Sequence, residues 1–378
     1  QMCIRDSEMP EKINFIVSHI DSPRIDLKLK PFYEDSGMCL MKTNYYGGIR
    51  KYHWVNIPLS MHGIIVKKNG GKINVVWGEN ENEGAFLITD LLPHLSKKQD
   101  EKKLKEGIEG EDLNIVAGSI PLKENAEEAI KLNVLEILNK KYGITEKDFI
   151  SAEIEVVPAM NAKDIGFDRG LVGGYGQDDR ICAFAMTEAI KEVKNNKQTA
   201  IAMFTDKEEI GSLGNTSIRG VFLESFLEEY SEKAKIKANL RELFENMEAI
   251  SADVDDGVNP NFKDVHDLKN AAIIGNGIVL TKYGGSGGKS YTNDANAEYV
   301  RKIMDLLEEK KIKWQTGLLG KVDEGGGGTV SMFIANRGAE IIDAGPVVLS
   351  MHSPYELSSK ADLYEIFKTY KEFFVKKK

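Results

Sequence analysis

Cysteine is scarce in this chain of 378 residues: Cys3, Cys39 and Cys182, an odd number and widely spaced. That excludes a disulfide framework and a thiolate metal site, and it points to a reducing, cytoplasmic compartment. Positive charge is not in excess either. Fifty Lys and Arg face 59 Asp and Glu, for a net charge of −9. The basic footprint of a nucleic-acid or anionic-membrane partner is therefore missing. No apolar run approaches the roughly 20 residues that a membrane helix needs. The opening residues lack the charged and apolar regions of a secretory signal. Internal repeats are absent, and low complexity is confined to two glycine runs. What remains is an ordinary globular composition, 42% hydrophobic and 29% charged. Its length suits roughly two or three domains with a sizeable core.

The first residues, "QMCIRDS", read as a translated scar rather than native sequence, so residues 1–10 are expected to be non-native and a native segment ahead of them to be missing. "INFIVSHID" (13–21) reads as a strand. Short β-like runs follow between Tyr45 and Trp77: "KYHWVNIPL", "HGIIVKK" and "KINVVWG", with the turn signal Asn69-Gly70-Gly71 between them. Residues 96–114 are polar and read as a long loop. Residues 126–143 read as an amphipathic helix with Ile130, Val134, Ile137 and Leu138 on one face, closed by Gly143.

Beyond about residue 158 strands alternate with helices. "TAIAMFTD", "MEAISADV", "GIVLTKY" and "AEIIDAGPVVLSMH" read as strands. "DDRICAFAMTEAIKEVKNN", the charged stretch 221–247, "NAEYVRKIMDLLEEKKI" and "ADLYEIFKTYKEFFV" read as helices. This alternation predicts an α/β fold, a sheet covered on both faces by helices. Residues 1–34 contribute its first part, 35–157 are a β-rich insertion, and 158–378 are the remainder.

Polar residues recur where apolar strands stop: His19 and Asp21, Glu208 and Glu209, Asp253, and His352, with Asp178-Asp179 at a helix start. In open α/β sheets ligands bind outside the carboxyl ends of the strands. His19 and Asp21 are two apart on a strand, so they share a face. Such a carboxylate fixes the tautomer of a metal-binding imidazole. Each motif alone equally fits a capped helix, a satisfied histidine or an acidic turn. Together, two histidines and several carboxylates without cysteine suit a harder, two-metal hydrolytic site. In such a site one of the adjacent glutamates binds metal, and the other takes the proton from the attacking water.

Two other patterns fail. "SADVDDG" is not a calcium loop, because Gly257 falls at position five from Asp253 where the pattern needs position six. "YGGSGGKSY" (283–291) misses a phosphate loop, because Tyr283 stands at the first glycine position.

The motifs "SHIDSPRIDLK", "DLLPHL", "VGGYGQDDR", "FTDKEEIGSLG", "SADVDDGVNPNF" and "SMHSPYE" together resemble the aspartyl aminopeptidase family, metallopeptidase family eighteen. The likeness spans nearly all of residues 13–378. It implies a mixed β-sheet sandwiched by helices, of the zinc-peptidase, phosphorylase/hydrolase-like fold, with a β-rich dimerisation domain inserted. It implies two Zn2+ per chain, with Co2+ or Mn2+ as substitutes. His19 would bind one zinc, Asp178 would bridge both, Glu209 and His352 would complete one and Asp253 the other. Glu208 matches the general base, and Asp21 the carboxylate behind His19. His94 matches a histidine that reaches a neighbouring subunit's site. The resemblance implies a homo-oligomer, with dimers assembling to a tetrahedral dodecamer, acting on peptides with a free N-terminus; the charge balance and the lack of long apolar runs leave neither nucleic acid nor membrane as an expected partner. The basic residue for acidic N-termini has no fixed register, although Lys289 lies nearby. The expected function is a zinc aminopeptidase. The alternatives are a related two-metal amidase or deacylase, and an inactive truncated assembly subunit.

Overall fold

The computed structural model describes residues 2–5, 9–123, 127–194 and 198–375. The chain divides into two compact units. One comprises the residues through Ser22, Ala162–Met351 and the chain from Tyr355; the other comprises Pro23–Asn161 with His352–Pro354.

The first unit is built on a seven-stranded mixed sheet. Its order is Met2–Arg5, Gln198–Thr205, Met9–His19, Met247–Ser251, Glu340–Gly345, Ile278–Thr281 and Trp314–Thr316. The four strands from Gln198–Thr205 to Glu340–Gly345 run parallel. Met2–Arg5 pairs antiparallel with Gln198–Thr205, and Ile278–Thr281 antiparallel with Glu340–Gly345. The parallel strands are apolar almost throughout because both faces are covered. Alternation sends neighbouring residues to opposite cores. Ile16, Ala200 and Ala202 pack with the helices Gln177–Glu192, Ala297–Glu309 and Lys360–Phe374. Phe15, Val17, Ile201 and Met203 pack with Phe222–Ala234, Leu240–Glu245 and Ser331–Ala335. A smaller five-stranded sheet runs Lys163–Ile165, Leu171–Gly174, Glu356–Ser359, Val347–Leu349 and Asp255–Asp256.

The second unit holds a seven-stranded antiparallel sheet: Lys72–Trp77, Leu59–Val66, Ala152–Pro158, Arg24–Asp35, Met38–Tyr46, Ile115–Gly118 and Leu87–Ile88. Arg24–Asp35 therefore belongs to this sheet, and the chain leaves the first unit after Ser22, not after residue 34. The helix Ala129–Tyr142 ends at Gly143, whose φ of 62° suits glycine. Ile130 and Leu138 are buried on it, but Ile137 is exposed.

Three expectations are corrected. The stretch 221–247 is two helices, because Lys235 turns left-handed and Asn239 starts a new helix through a capping box with Glu242. Residues 96–114 carry short helical turns at Lys97–Asp100, Leu104–Gly107 and Gly110–Asp112 rather than an unbroken loop. "KYHWVNIPL" is mostly not strand: Lys51–His53 is a 3-10 turn and extended pairing begins at Leu59. The leading residues set aside as a scar form an edge strand at Met2–Arg5. Among the described residues no helix is long and apolar enough to cross a membrane.

Candidate metal centre

Register places the site. His19 ends its strand beside Thr205, and Val17 lies beside Ser251. The loops that follow Thr205 and Ser251 carry Glu208, Glu209 and Asp253. Three neighbouring parallel strands thus deliver one imidazole and three carboxylates to their common carboxyl end. Asp178 arrives from the start of the helix Gln177–Glu192, after the left-handed Gly176.

His19 is buried and tied at both nitrogens. Nδ1 donates to the Asp21 carbonyl at 2.9 Å. Nε2 faces two carboxylates, Asp178 Oδ1 at 3.1 Å and Asp253 Oδ1 at 3.8 Å. A ring whose Nδ1 holds a proton for a carbonyl presents a bare Nε2 lone pair to two anions unless a second proton or a cation lies there. Burial opposes the imidazolium, yet hydrogen bonds to Asp178, Asp21 and Asp253 outweigh it and raise the His19 pKa well above the usual value.

Asp21 has a second task. Its carboxylate accepts the backbone N–H of Glu208 (Oδ1, 3.1 Å) and of Glu209 (Oδ2, 3.1 Å). The two glutamates form the 3-10 turn Glu208–Ile210, entered through Lys207 at φ 67°. One aspartate therefore faces the imidazole Nδ1 with both its carbonyl and its Oδ1, at 3.4 Å, and holds the glutamate turn through its carboxylate. Within 4.8 Å, ligand atoms of His19, Glu208 and Glu209 group together, as do those of His19, Asp178 and Asp253.

The cluster is too anionic to be at ease alone. Burial first, then Asp253, Asp178 and Asp21, push Glu208 up to about 8 despite partial relief from His19. Burial also raises Asp253, with Asp178 adding to it against His19. A divalent cation is what such a set of oxygen and imidazole donors fits.

Residues outside the expected set support it. Asp179 is fully buried, and its Oδ2 accepts from Ser18 Oγ and from the His19 N–H at 3.2 Å. Ser22 Oγ donates to the Asp178 carbonyl at 2.8 Å. Glu356 Oε2 accepts the N–H groups of Gln177 at 2.6 Å and Asp178 at 3.2 Å, capping the helix that presents Asp178. Glu356 lies in the quoted motif "SMHSPYE", but backbone capping from so far along the chain leaves no local signal. Asp343, beside Ser251 in register, is buried and accepts from Thr329 Oγ1 at 2.6 Å and Ser331 Oγ at 2.9 Å.

His352 groups with the second unit, where its Nδ1 donates to the Gly48 carbonyl at 3.0 Å. His94 is exposed in that unit, in the turn before Lys97–Asp100. Lys289 is paired with Asp294 at 2.6 Å and stacks over Tyr283.

A mixed α/β sheet with histidine and carboxylates gathered at its carboxyl end describes a metal-dependent hydrolase. Residues 3–374 match the family model described as Aminopeptidase I zinc metalloprotease (M18), and the chain belongs to this family. A probable M18 family aminopeptidase 1 of Clostridium acetobutylicum is 49% identical over 364 residues, covering 94% of this chain and 77% of the relative. One of Thermotoga maritima is 48% identical over 372 residues, covering 98% and 82%. The crystal structure of the M18 family aminopeptidase from Thermotoga maritima superposes with a TM-score of 0.94 at 48% identity, covering 97% of this chain and 82% of that one. A dodecamer of mApe1 from S. cerevisiae, 22% identical with a TM-score of 0.76, shares the fold over 99% of this chain and 82% of its own. The protein is a hydrolase of the exopeptidase class, a metalloaminopeptidase.

Proposed function

We propose that the protein removes single residues from the free N-terminus of peptides with two zinc ions per chain, for which cobalt or manganese substitute. The observation that carries this reading is the pair of carboxylates, Asp178 and Asp253, turned on the Nε2 of a His19 whose Nδ1 is already bound. His19 and Asp253 would hold one ion, Glu209 and His352 the other, and Asp178 would be shared by both. Zinc supplies a Lewis acid that polarises the scissile carbonyl and makes water acidic near neutral pH. Glu208, fixed through its N–H by Asp21, accepts the proton of the attacking water and passes it to the leaving amine. Asp21 is a positioning residue for both His19 and Glu208. A site carboxylate receives the substrate's α-ammonium, which limits cleavage to the first residue.

The second unit serves as the dimerisation domain. Dimers assemble to a tetrahedral dodecamer in the cytoplasm, and His94 completes a neighbouring subunit's site. The fold shared with a dodecameric neighbour supports the assembly.

A panel of aminoacyl-p-nitroanilides, each free and N-acetylated, tests the function with zinc, cobalt or manganese present. Turnover of the free amines alone is expected. Equal turnover of the acetylated forms would replace the aminopeptidase with an amidase or deacylase.

A further inference from the structure

A cleft of about 750 Å³ opens beside Glu208 in the first unit. Arg219, Phe333, Asn336 and Arg337 line it together with Glu208, whereas His19, Asp178, Glu209 and Asp253 do not. Its two arginines differ. Arg337 is engaged: its Nε donates to the Glu224 carboxylate, Nη1 to the Phe333 carbonyl at 2.7 Å and Nη2 to the Ile218 carbonyl at 3.2 Å. Arg219 is exposed, and its guanidinium lies 5.2 Å from the Phe333 ring centroid. Among the described residues no carboxylate lies within ion-pair distance of it.

Glu208 returns its proton to the leaving nitrogen, the first atom of the residue after the cut. The cleft touches Glu208 and none of the proposed ligands, so it offers room beside the group that meets the leaving nitrogen. We propose that it is the leaving-group subsite and that Arg219, oriented by Phe333, recognises a carboxylate there. This inference rests on the aminopeptidase reading with Glu208 as base. The carboxylate has two sources of one chemistry: the C-terminus of a dipeptide, or an acidic side chain in the second residue. The guanidinium fork suits either, and stacking on Phe333 holds it without neutralising it.

The experiment compares Leu-Ala, Leu-Ala amide and Leu-Asp amide on the zinc-reconstituted wild type, Arg219→Gln and Arg219→Lys. The preference for a carboxylate is read as a ratio of kcat/KM to that of Leu-Ala amide. Arg219→Gln is expected to lower that ratio about tenfold, mainly through KM, and Arg219→Lys to retain most of it. A fall for Leu-Ala identifies the terminal carboxylate, and a fall for Leu-Asp amide the side chain. Calorimetric Kd values for the same peptides on Glu208→Gln, with and without Arg219→Gln, give the preference independently of turnover. A wild type that cleaves none of the three peptides, yet binds them with the Arg219-dependent preference, would overturn the aminopeptidase reading and the leaving-group assignment with it, leaving only carboxylate binding at Arg219. Ratios that move less than about twofold in both assays would overturn the proposal. So would a change confined to preference for the first residue.

Discussion

Asp21, Glu208 and Glu209 show how three acids within one site take different tasks. Asp21 accepts the two backbone N–H groups and also faces His19 Nδ1 with its carbonyl and Oδ1. The glutamates are held by those same N–H groups, and in the proposed reaction Glu209 binds metal while Glu208 takes the proton. Glu208→Gln should keep its metal but lose turnover by roughly 10²–10⁴-fold, because an amide accepts no proton. Glu209→Gln should lose metal as well. Equal metal content in the two variants by elemental analysis would contradict this division. The protons held in the metal-free site give a second prediction. His19 stands well above the usual imidazole range and Glu208 at about 8, so a cation must displace protons to bind. As the pH falls through about 8 toward 6, protonation favours the metal-free form, and zinc affinity should weaken. Chelator competition at several pH values would measure it, and a flat profile would contradict it.

At the level of elements, the site depends on strands that end together and on loops held close. Gly345, at the end of Glu340–Gly345, passes so near the Asp253 carbonyl that a Cβ there would lie 1.9 Å from it. Gly345→Ala should therefore displace the Asp253 loop and lower metal content in a protein that still folds, seen as reduced zinc at unchanged far-UV dichroism. Normal zinc content would show that the loop absorbs the methyl group. Much of this level was legible in the sequence. His19, Glu208, Glu209 and Asp253 each stand where an apolar run stops, and that pattern depends only on local periodicity. The order of the strands was not legible, because parallel neighbours such as Met9–His19 and Met247–Ser251 are far apart along the chain. Nor was the strand Arg24–Asp35, which follows the first one closely yet pairs in another sheet. The break between Phe222–Ala234 and Leu240–Glu245 did carry a signal, the Asn239–Glu242 capping box, but continuous charge periodicity concealed it. Asp179 was read only as a helix-start charge, since nothing local marks it as the acceptor for Ser18 and His19.

At the scale of the whole molecule, the account requires that a chain supply its ligands itself and that its neighbours complete the site. His94 is exposed on its own unit, far in sequence from every proposed ligand. If it donates a hydrogen bond to the developing oxyanion in a neighbouring subunit, His94→Ala should be folded and metal-loaded but slower by roughly 10²–10³-fold. Mixing it with Glu208→Gln should restore activity above either parent, because exchanged dimers regain one site with both groups. Verified mixed dimers without recovery would remove His94 from the reaction. The central claim is a paired-zinc site, and metal titration of the chelated protein tests it most directly. Turnover of an aminoacyl-p-nitroanilide should vanish on chelation and return in full only as about two zinc ions bind per chain. Full activity with one ion, or with none, would contradict the account.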